Sequence, residues 1–262
     1  MKKLVVIVLA LLLCVGVLVA CGKTEDDGKK VLKLGFDAEY PPYGYLDAAT
    51  NTYVGFDIEL ARAVCEELGW KLELVPIDWN AKDMALESGD INCIWSGFTI
   101  NGRENDYEWT QPYSDSSIVV MVKNSRGITK LSDLAGKVVS VQADSSGEST
   151  LKKEEFRELV ASFKDGKFVT CKDYTAAFTD LETEAIDALV IDVGVAGGLM
   201  RDGYSILSET LASEQYGIGF KKGDTATRDA VDAALTKIAK NSTTVADLAA
   251  KYGISDSIIL GK

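Results

Sequence analysis

Apolar positions along the chain follow two patterns, one typical of strands and one typical of helices. Val31–Phe36 alternates like a strand, whereas Ile58–Leu68 places its apolar residues on one helical face. Asp57 is positioned to cap that helix and Gly69 to end it. Further strands are expected near 71–77, 91–95, 118–122, 138–141, 167–171, 188–191 and 217–220. Further helices are expected near 81–87, 147–162, 175–184, 193–201, 226–240 and 244–252.

This regular exchange of strands and helices predicts an α/β fold with mostly parallel sheets. In such sheets ligands bind where the carboxyl ends of strands lead into helices. The loops that follow the strands are therefore the first places to look for a functional site.

The amino terminus reads as a processing and anchoring signal. The basic start Met1–Lys3 precedes the apolar run Leu4–Ala20, which fits a signal peptide over 1–20 better than an uncleaved anchor helix. Leu18-Val19-Ala20-Cys21 matches a bacterial lipobox, so Cys21 is expected to carry lipid, and 21–29 reads as a polar tether. The folded part is expected outside the cytoplasmic membrane, anchored to its outer face through Cys21.

Composition removes several classes of function. The chain has 262 residues, a net charge of −12 and no histidine. An acidic chain is unsuited to nucleic acid, and the lack of imidazole excludes Ser-His-Asp catalysis and histidine metal sites. No cofactor is indicated. Cys65, Cys93 and Cys171 are interpreted as small core residues, with a single disulfide left open.

The loop after the first strand, FDAEYPPYGY at 36–45, combines carboxylates, tyrosines and two prolines. Tyr43 and Tyr45 are expected to pack on the domain. Tyr40 offers a flat apolar face with a polar tip, and Asp37 a negative charge. Both are candidates for contact with a ligand.

A second loop, after the strand near 91–95, holds Gly97, Thr99 and Arg103. The glycine lets backbone approach a guest, and the threonine offers a hydroxyl. The arginine suits bidentate binding of a carboxylate, although a helix-face salt bridge is the alternative.

Two more loops add complementary groups. Ser145 and Ser146 stand at a predicted helix start, where they serve as caps or bind an anion. Asp192 follows a buried strand, where a carboxylate needs a partner such as a helix end or an ammonium group. Together, the four loops offer groups for a carboxylate, an ammonium and an apolar body, which suits a free α-amino acid.

Four segments resemble one family: GFDIELARAVCEELG (55–69), SGFTINGRE (96–104), LSDLAGKVVSV (131–141) and IDALVID (186–192). They are similar to the bacterial extracellular solute-binding proteins for polar amino acids, often called family 3. These proteins capture ligand for ABC importers. The resemblance covers essentially the whole mature chain and implies a free L-amino acid ligand, a membrane permease as partner and a monomeric protein that is not an enzyme.

The same resemblance implies roles for individual residues. Arg103 matches the arginine that holds the ligand's α-carboxylate, and Ser146 adds donors from the other lobe. Asp192 matches the acid that receives the α-ammonium, assisted by the Gly97 carbonyl and the Thr99 hydroxyl. The loop before Arg103 is one residue shorter than in many members.

The ligand's side chain is left open. Tyr40 and Trp79 match aromatic residues that sandwich it, and Asp37 matches a position that touches its polar end. Trp95 replaces smaller residues and Asp144 replaces a glycine, which puts the ligand's identity in doubt. Asp37 favours a cationic or amide side chain, whereas the aromatic residues equally suit cystine or another sulfur or apolar amino acid.

The implied fold is the two-lobed periplasmic-binding-protein-like fold of type II with two hinge crossovers. Lobe 1 is expected over 30–113 and 217–262, and lobe 2 over 118–214. The crossovers are expected near 114–117 and 213–216.

Two other functions stay open. A sensory lipoprotein would bind amino acids without feeding a transporter. A dehydratase-like enzyme on the same fold would use an acid such as Glu39 or Asp37.

Overall fold

The computed structural model describes residues 28–262, and Val31–Lys262 forms one of the two units into which the chain divides. The predicted signal peptide, Cys21 and most of the predicted tether lie outside the described residues.

Strands and α-helices alternate along most of this range. The strands are β1 Val31–Phe36, β2 Glu39–Tyr40, β3 Gly44–Asp47, β4 Thr52–Val54, β5 Lys71–Pro76, β6 Cys93–Thr99, β7 Glu108–Trp109, β8 Ser114–Lys123, β9 Val139–Gln142, β10 Val169–Cys171, β11 Ala188–Asp192, β12 Tyr204–Ile206 and β13 Ala212–Phe220. The α-helices are α1 Phe56–Leu68, α2 Lys82–Ser88, α3 Ser146–Leu151, α4 Arg157–Ser162, α5 Tyr174–Glu182, α6 Val193–Leu199, α7 Thr225–Asn241 and α8 Thr244–Lys251.

The main sheet runs in the order β10-β9-β11-β8-β13-β6-β1-β5. On one side β1 is parallel to β5 and β6, and on the other β9 is parallel to β10 and β11. The central strands β8 and β13 are antiparallel to each other and to their outer neighbours. The α/β prediction is confirmed, but the expectation of mostly parallel sheets holds only for the outer strands of the main sheet, because β8 and β13 are antiparallel to every strand they pair with. We call the part built on β5, β1 and β6 lobe 1, and the part built on β11, β9 and β10 lobe 2.

The strands β8 and β13 connect the two lobes. Their paired segment runs from Ser114 opposite Tyr216 to Ile118 opposite Ala212. Beyond it, β8 continues along β11 of lobe 2 and β13 continues along β6 of lobe 1. This is the two-lobed arrangement expected of a type II fold. The predicted crossovers fall in the paired segment, and their action as a hinge stays a prediction.

Some element boundaries differ from the predictions. The range 147–162 is not one helix, because Lys153 is extended between α3 and a 3₁₀ turn that leads into α4. The charged run 152–155 has no apolar face to continue the helix. The three-stranded sheet β2-β3-β4 was not predicted, since its strands are too short to show an alternating pattern.

The cysteines Cys65, Cys93 and Cys171 are free, with the first two buried and the third half-buried. Within residues 28–262, no helix combines the length and apolar character needed to cross a membrane. In the same range no group of three acidic or cysteine side chains is arranged to hold a metal ion.

Asp57 has a different role from the predicted cap. Gly55 occupies the cap position, and Asp57 lies in the first turn of α1 with no exposed surface. Its Oδ2 accepts hydrogen bonds from the Gly97 backbone N–H (2.8 Å) and the Tyr113 hydroxyl (2.9 Å). Burial raises the pKa of Asp57 to about 7, and the two hydrogen bonds and the Trp95 indole only partly offset that effect. Asp57 therefore ties helix α1 to the end of β6, where the predicted site begins.

We expect Asp57→Asn to change how stability depends on pH. The pKa in the folded state exceeds the unfolded value, so the stability from protonated Asp57 is complete at low pH and is lost as the pH rises toward 7. Asparagine keeps an oxygen acceptor and cannot ionise. Between about pH 5 and pH 7, the free energy of unfolding of the wild type should fall by roughly 2 kcal/mol relative to that of the variant. Urea denaturation of both proteins at the two pH values measures this difference, and equal pH dependence would contradict it.

Candidate functional site

Polar contacts join the two lobes along the edge where their strands end. The Gln142 amide nitrogen, at the end of β9, donates to Asp37 Oδ2 at 2.6 Å. The Arg103 guanidinium donates to the Asp144 carbonyl at 3.3 Å. These contacts link lobe 1 to lobe 2 across the cleft.

Arg103 lies in the turn after β6 with its guanidinium 5.2 Å from the centre of the Phe98 ring. Within residues 28–262 the guanidinium donates to the backbone carbonyls of Thr99 (3.3 Å) and Asp144. In that range it forms no ion pair, so the predicted alternative of a helix-face salt bridge is wrong. The guanidinium therefore keeps its charge available at the cleft.

Glu214 lines the same cavity as Arg103 and was not predicted from sequence to be a site residue. It lies on β13, is 5% exposed and accepts a hydrogen bond from the Thr99 hydroxyl at 3.1 Å. Burial, followed by the negative charge of Asp192, raises the pKa of Glu214 to about 8, while Ser146, Thr99 and Arg103 act to lower it. From sequence this residue was predicted only to be part of a crossover. Ala212, Tyr216 and Ile218 recur at two-residue intervals in register with Glu214, and this spacing of apolar residues is the signal that would have placed it inside.

A cavity of about 140 Å³ lies beside this group, with Arg103, Ser146, Lys153 and Glu214 in its wall. Ser146 is the first residue of α3, whereas Ser145 is the cap and accepts from the Glu148 N–H at 3.1 Å. The Ser146 hydroxyl is therefore not used as the helix cap. The structure brings Arg103, Thr99 and Ser146 together around a carboxylate of the protein itself, that of Glu214, and their role toward a ligand stays a prediction.

Asp192 lies at the end of β11 and is 2% exposed. It occupies the cap position of α6 but makes no capping hydrogen bond. Instead, the Tyr216 hydroxyl donates to Oδ1 (2.7 Å) and the Tyr174 hydroxyl to Oδ2 (3.2 Å). Burial raises the pKa of Asp192, and these hydroxyls act in the opposite direction. Neither tyrosine was predicted from sequence to be a site residue, because Tyr216 lies within a strand and Tyr174 begins a helix.

Tyr40 joins the same cluster from lobe 1. Its hydroxyl lies 3.2 Å from that of Tyr216, and its ring centre is 5.8 Å from that of Tyr174. A side chain at Gly97, where φ is 54°, would begin 2.6 Å from the Tyr40 ring. Gly97 was predicted to let a ligand approach the backbone. In this structure the space left by its missing side chain is taken by the Tyr40 ring. Tyr43 is buried, as predicted, with its hydroxyl against Gly194 of α6.

Asp37 and Trp79 line a second cavity, of about 230 Å³. Burial raises the pKa of Asp37 to about 6, against hydrogen bonds from the Glu39 N–H and Gln142. The wall also carries three more carboxylates and one lysine: Glu39, Asp78, Asp173 and Lys172. Lys172 pairs with Asp78 at 2.7 Å, which leaves this cavity with an excess of negative charge.

Trp79 packs edge-on against Phe98, with 5.5 Å between ring centres. The Lys82 ammonium lies 5.3 Å from the Trp79 ring and forms an ion pair with Asp144 across the cleft. Lys82 is only 2% exposed and was missed from sequence, since it lies on a helix. The pair neutralises Asp144, so that acid does not oppose an anion near Arg103. Trp95 is fully buried against Tyr113 and belongs to the core.

Comparisons with known proteins agree with this architecture. The arginine-binding extracellular protein ArtP of Bacillus subtilis (strain 168) is 29% identical over 188 residues, covering 70% of this chain and 71% of that protein. The L-cystine-binding protein TcyJ of Escherichia coli (strain K12) is 26% identical over 227 residues, covering 84% and 81%. A histidine-bound substrate-binding protein of an ABC uptake transporter from Streptococcus pneumoniae superposes with a TM-score of 0.82, with 27% identity and coverage of 87% and 94%.

The family comparison covers most of the fold described above. The model of the bacterial extracellular solute-binding proteins, family 3, matches residues 32–255. That range includes both lobes, the strands that connect them and every candidate site residue except the lipidation site. The chain therefore belongs to the bacterial extracellular solute-binding proteins, family 3.

Proposed function

We propose that this solute-binding protein captures a free L-amino acid by closing its two lobes and delivers it to an ABC transporter permease. The observations that carry the proposal are the Arg103 guanidinium, which forms no ion pair within residues 28–262, and the buried carboxylate of Asp192, both of which act on Glu214. A buried zwitterion needs a partner for each of its charges. The predicted lobe boundaries and hinge segments at 114–117 and 213–216 belong to the same proposal.

Arg103, Thr99 and Ser146 would bind the ligand's α-carboxylate. They come from both sides of the cleft, so the full set of donors forms only when the lobes are closed. Ligand contacts that exist only in the closed form stabilise that form. Charge-assisted hydrogen bonds of this kind contribute roughly 1.5–3 kcal/mol each.

Asp192 would receive the α-ammonium, together with the Gly97 carbonyl and the oxygen of the Thr99 hydroxyl, which can accept from the ammonium while it donates its proton to the α-carboxylate. A carboxylate has about four acceptor positions, and the hydroxyls of Tyr174 and Tyr216 use two. These tyrosines fix the orientation of Asp192 and leave capacity for an ammonium group.

The side-chain end of the ligand is proposed to be cationic, with L-arginine as the first candidate. Asp37 lies in a cavity whose carboxylates outnumber its one lysine, and that lysine is already paired. Tyr40 and Trp79 would flank the side chain, where aromatic faces favour a cation. The Bacillus subtilis relative is named for arginine binding, although the Escherichia coli relative is named for cystine.

The family is extracellular, which places the folded part outside the cytoplasm. We infer further that 1–20 is removed and that lipid on Cys21 anchors a monomeric protein to the outer face of the membrane. The lipobox supports this inference. The relatives from Bacillus subtilis and Escherichia coli are named as binding proteins, and we propose that this chain is likewise not an enzyme.

Arg103→Ala should reduce amino-acid affinity by about 100-fold or more, since it leaves a buried carboxylate without its cation. A thermal-shift screen of the purified protein with all common L-amino acids and cystine would identify the ligand, because a ligand that binds only the folded state raises its melting temperature. Calorimetry would then compare the variant with the wild type. Arg157→Ala, which removes an exposed arginine of α4, is the matched control. Unchanged affinity in Arg103→Ala would exclude this carboxylate site.

Asp37→Asn should shift selectivity from cationic toward neutral ligands. Its affinity for L-arginine should fall about tenfold or more relative to its affinity for L-glutamine, because only the cation loses a charge-assisted contact. Competition between the two amino acids, measured by calorimetry, gives this ratio without requiring equal folding of the variants. If the variant had the same ratio of L-arginine to L-glutamine affinity as the wild type, the end of the ligand's side chain would not bind at Asp37.

Cys21→Ala should release the protein from the cell membrane. The thiol is the predicted attachment point for lipid, and it precedes the unit Val31–Lys262. Metabolic labelling with a radioactive fatty acid, followed by fractionation, should show label and membrane retention in the wild type and neither in the variant. Cys171→Ala serves as control. Labelled, membrane-bound Cys21→Ala would disprove the lipid anchor.

A further inference from the structure

Glu214 occupies an unusual place for an acid. It projects inward from the strand that connects the lobes, opposite Ser116 of the other connecting strand. Its carboxylate accepts from Thr99 and shares a cavity wall with Arg103 and Ser146. These three residues are the ones proposed to hold the ligand's carboxylate, so a carboxylate of the protein already uses the same donors.

The charges around Glu214 come from several elements. Arg103, in the turn after β6, is the cation that acts on it, and Lys153, after α3, lines the same cavity. Asp192, from β11, opposes it, and the Tyr216 hydroxyl lies on its own strand. Within residues 28–262 Glu214 forms no ion pair, so one arginine acts on both Glu214 and the incoming ligand.

Two negative charges cannot share these donors at low cost. When carboxylates meet in one site, one of them becomes neutral by holding a proton. A protonated glutamic acid can also donate a hydrogen bond to a neighbouring carboxylate. The raised pKa of Glu214, about 8, is consistent with this state near neutral pH.

We propose that Glu214 belongs to the ligand site and is protonated when the ligand's carboxylate binds beside Thr99, Ser146 and Arg103. The proton comes from solvent whenever Glu214 is ionised beforehand. Above its pKa, binding is therefore accompanied by proton uptake and weakens by up to tenfold per pH unit. This inference rests on the proposed function, because it requires a ligand with a carboxylate.

The first test needs no ligand. Glutamate labelled with ¹³C at the side-chain carboxyl reports the titration of each glutamate, and Glu214→Gln identifies the resonance of Glu214. Its midpoint should lie near 8 and should rise in Arg103→Met, because the cation that favours the charged form is removed. A midpoint in the ordinary range of about 4–5, unaffected by Arg103→Met, would overturn the proposal.

The second test measures proton uptake with L-arginine and with every amino acid that raises the melting temperature. Calorimetry in phosphate and in Tris at about pH 8.5 counts the protons bound, since the two buffers differ in ionisation enthalpy. Wild type should take up about 0.75 proton more than Glu214→Gln, whose only uptake is the fraction that protonates the ligand's own amino group. From about pH 7 to pH 9.5 the ratio of the wild-type Kd to the Glu214→Gln Kd should rise roughly 30-fold, and titration of the ligand's own ammonium cancels in that ratio.

Glu66→Gln, at an exposed position of α1, is the matched control and should follow the wild type. Equal proton uptake by the wild type and Glu214→Gln would reject the role of Glu214 while leaving the amino-acid site intact. Failure of every amino acid to bind would reject the proposed function and this inference with it.

Discussion

The antiparallel pairing of β8 with β13 is the interaction on which the rest of the structure depends. Both strands pass from one lobe to the other. Within residues 31–262 the polypeptide crosses between the lobes only in the segment where these two strands pair. Inward-facing side chains of this segment lie at the bottom of the cleft. This position gives Glu214 and Tyr216 contact with groups from both lobes.

Burial of carboxylates is the second constraint, and it follows from the first. Asp37, Asp192 and Glu214 are each at most 5% exposed, and burial raises the pKa of all three. Within residues 28–262 their side-chain hydrogen bonds come from Gln142, from tyrosine hydroxyls and from Thr99, not from cations. An unpaired buried charge costs free energy. A ligand that brings positive charge or protons therefore stabilises this cleft the most.

Much of the fold was accessible from sequence because local periodicity is a direct consequence of burial. The strand Val31–Phe36 was predicted with its observed bounds, and helix α1 within two residues of its start. The predictions failed where tertiary contacts override local signals. Asp57 resembles a cap in sequence, yet its carboxylate bonds to Gly97 and Tyr113, which lie 40 and 56 positions away.

For the candidate site, the sequence by itself determined the chemical types of the groups and the loops that carry them. Arg103, Thr99, Ser146 and Asp192 lie near the ends of strands, and chain connectivity alone brings such ends to one edge of a sheet. Only the tertiary structure decided the partners of these groups. Glu214 beside Thr99, Lys82 on Asp144 and the tyrosines on Asp192 are contacts between distant segments. Local sequence does not record them, because hydrogen bonds and charge pairing depend on distances that exist only after the lobes have packed together.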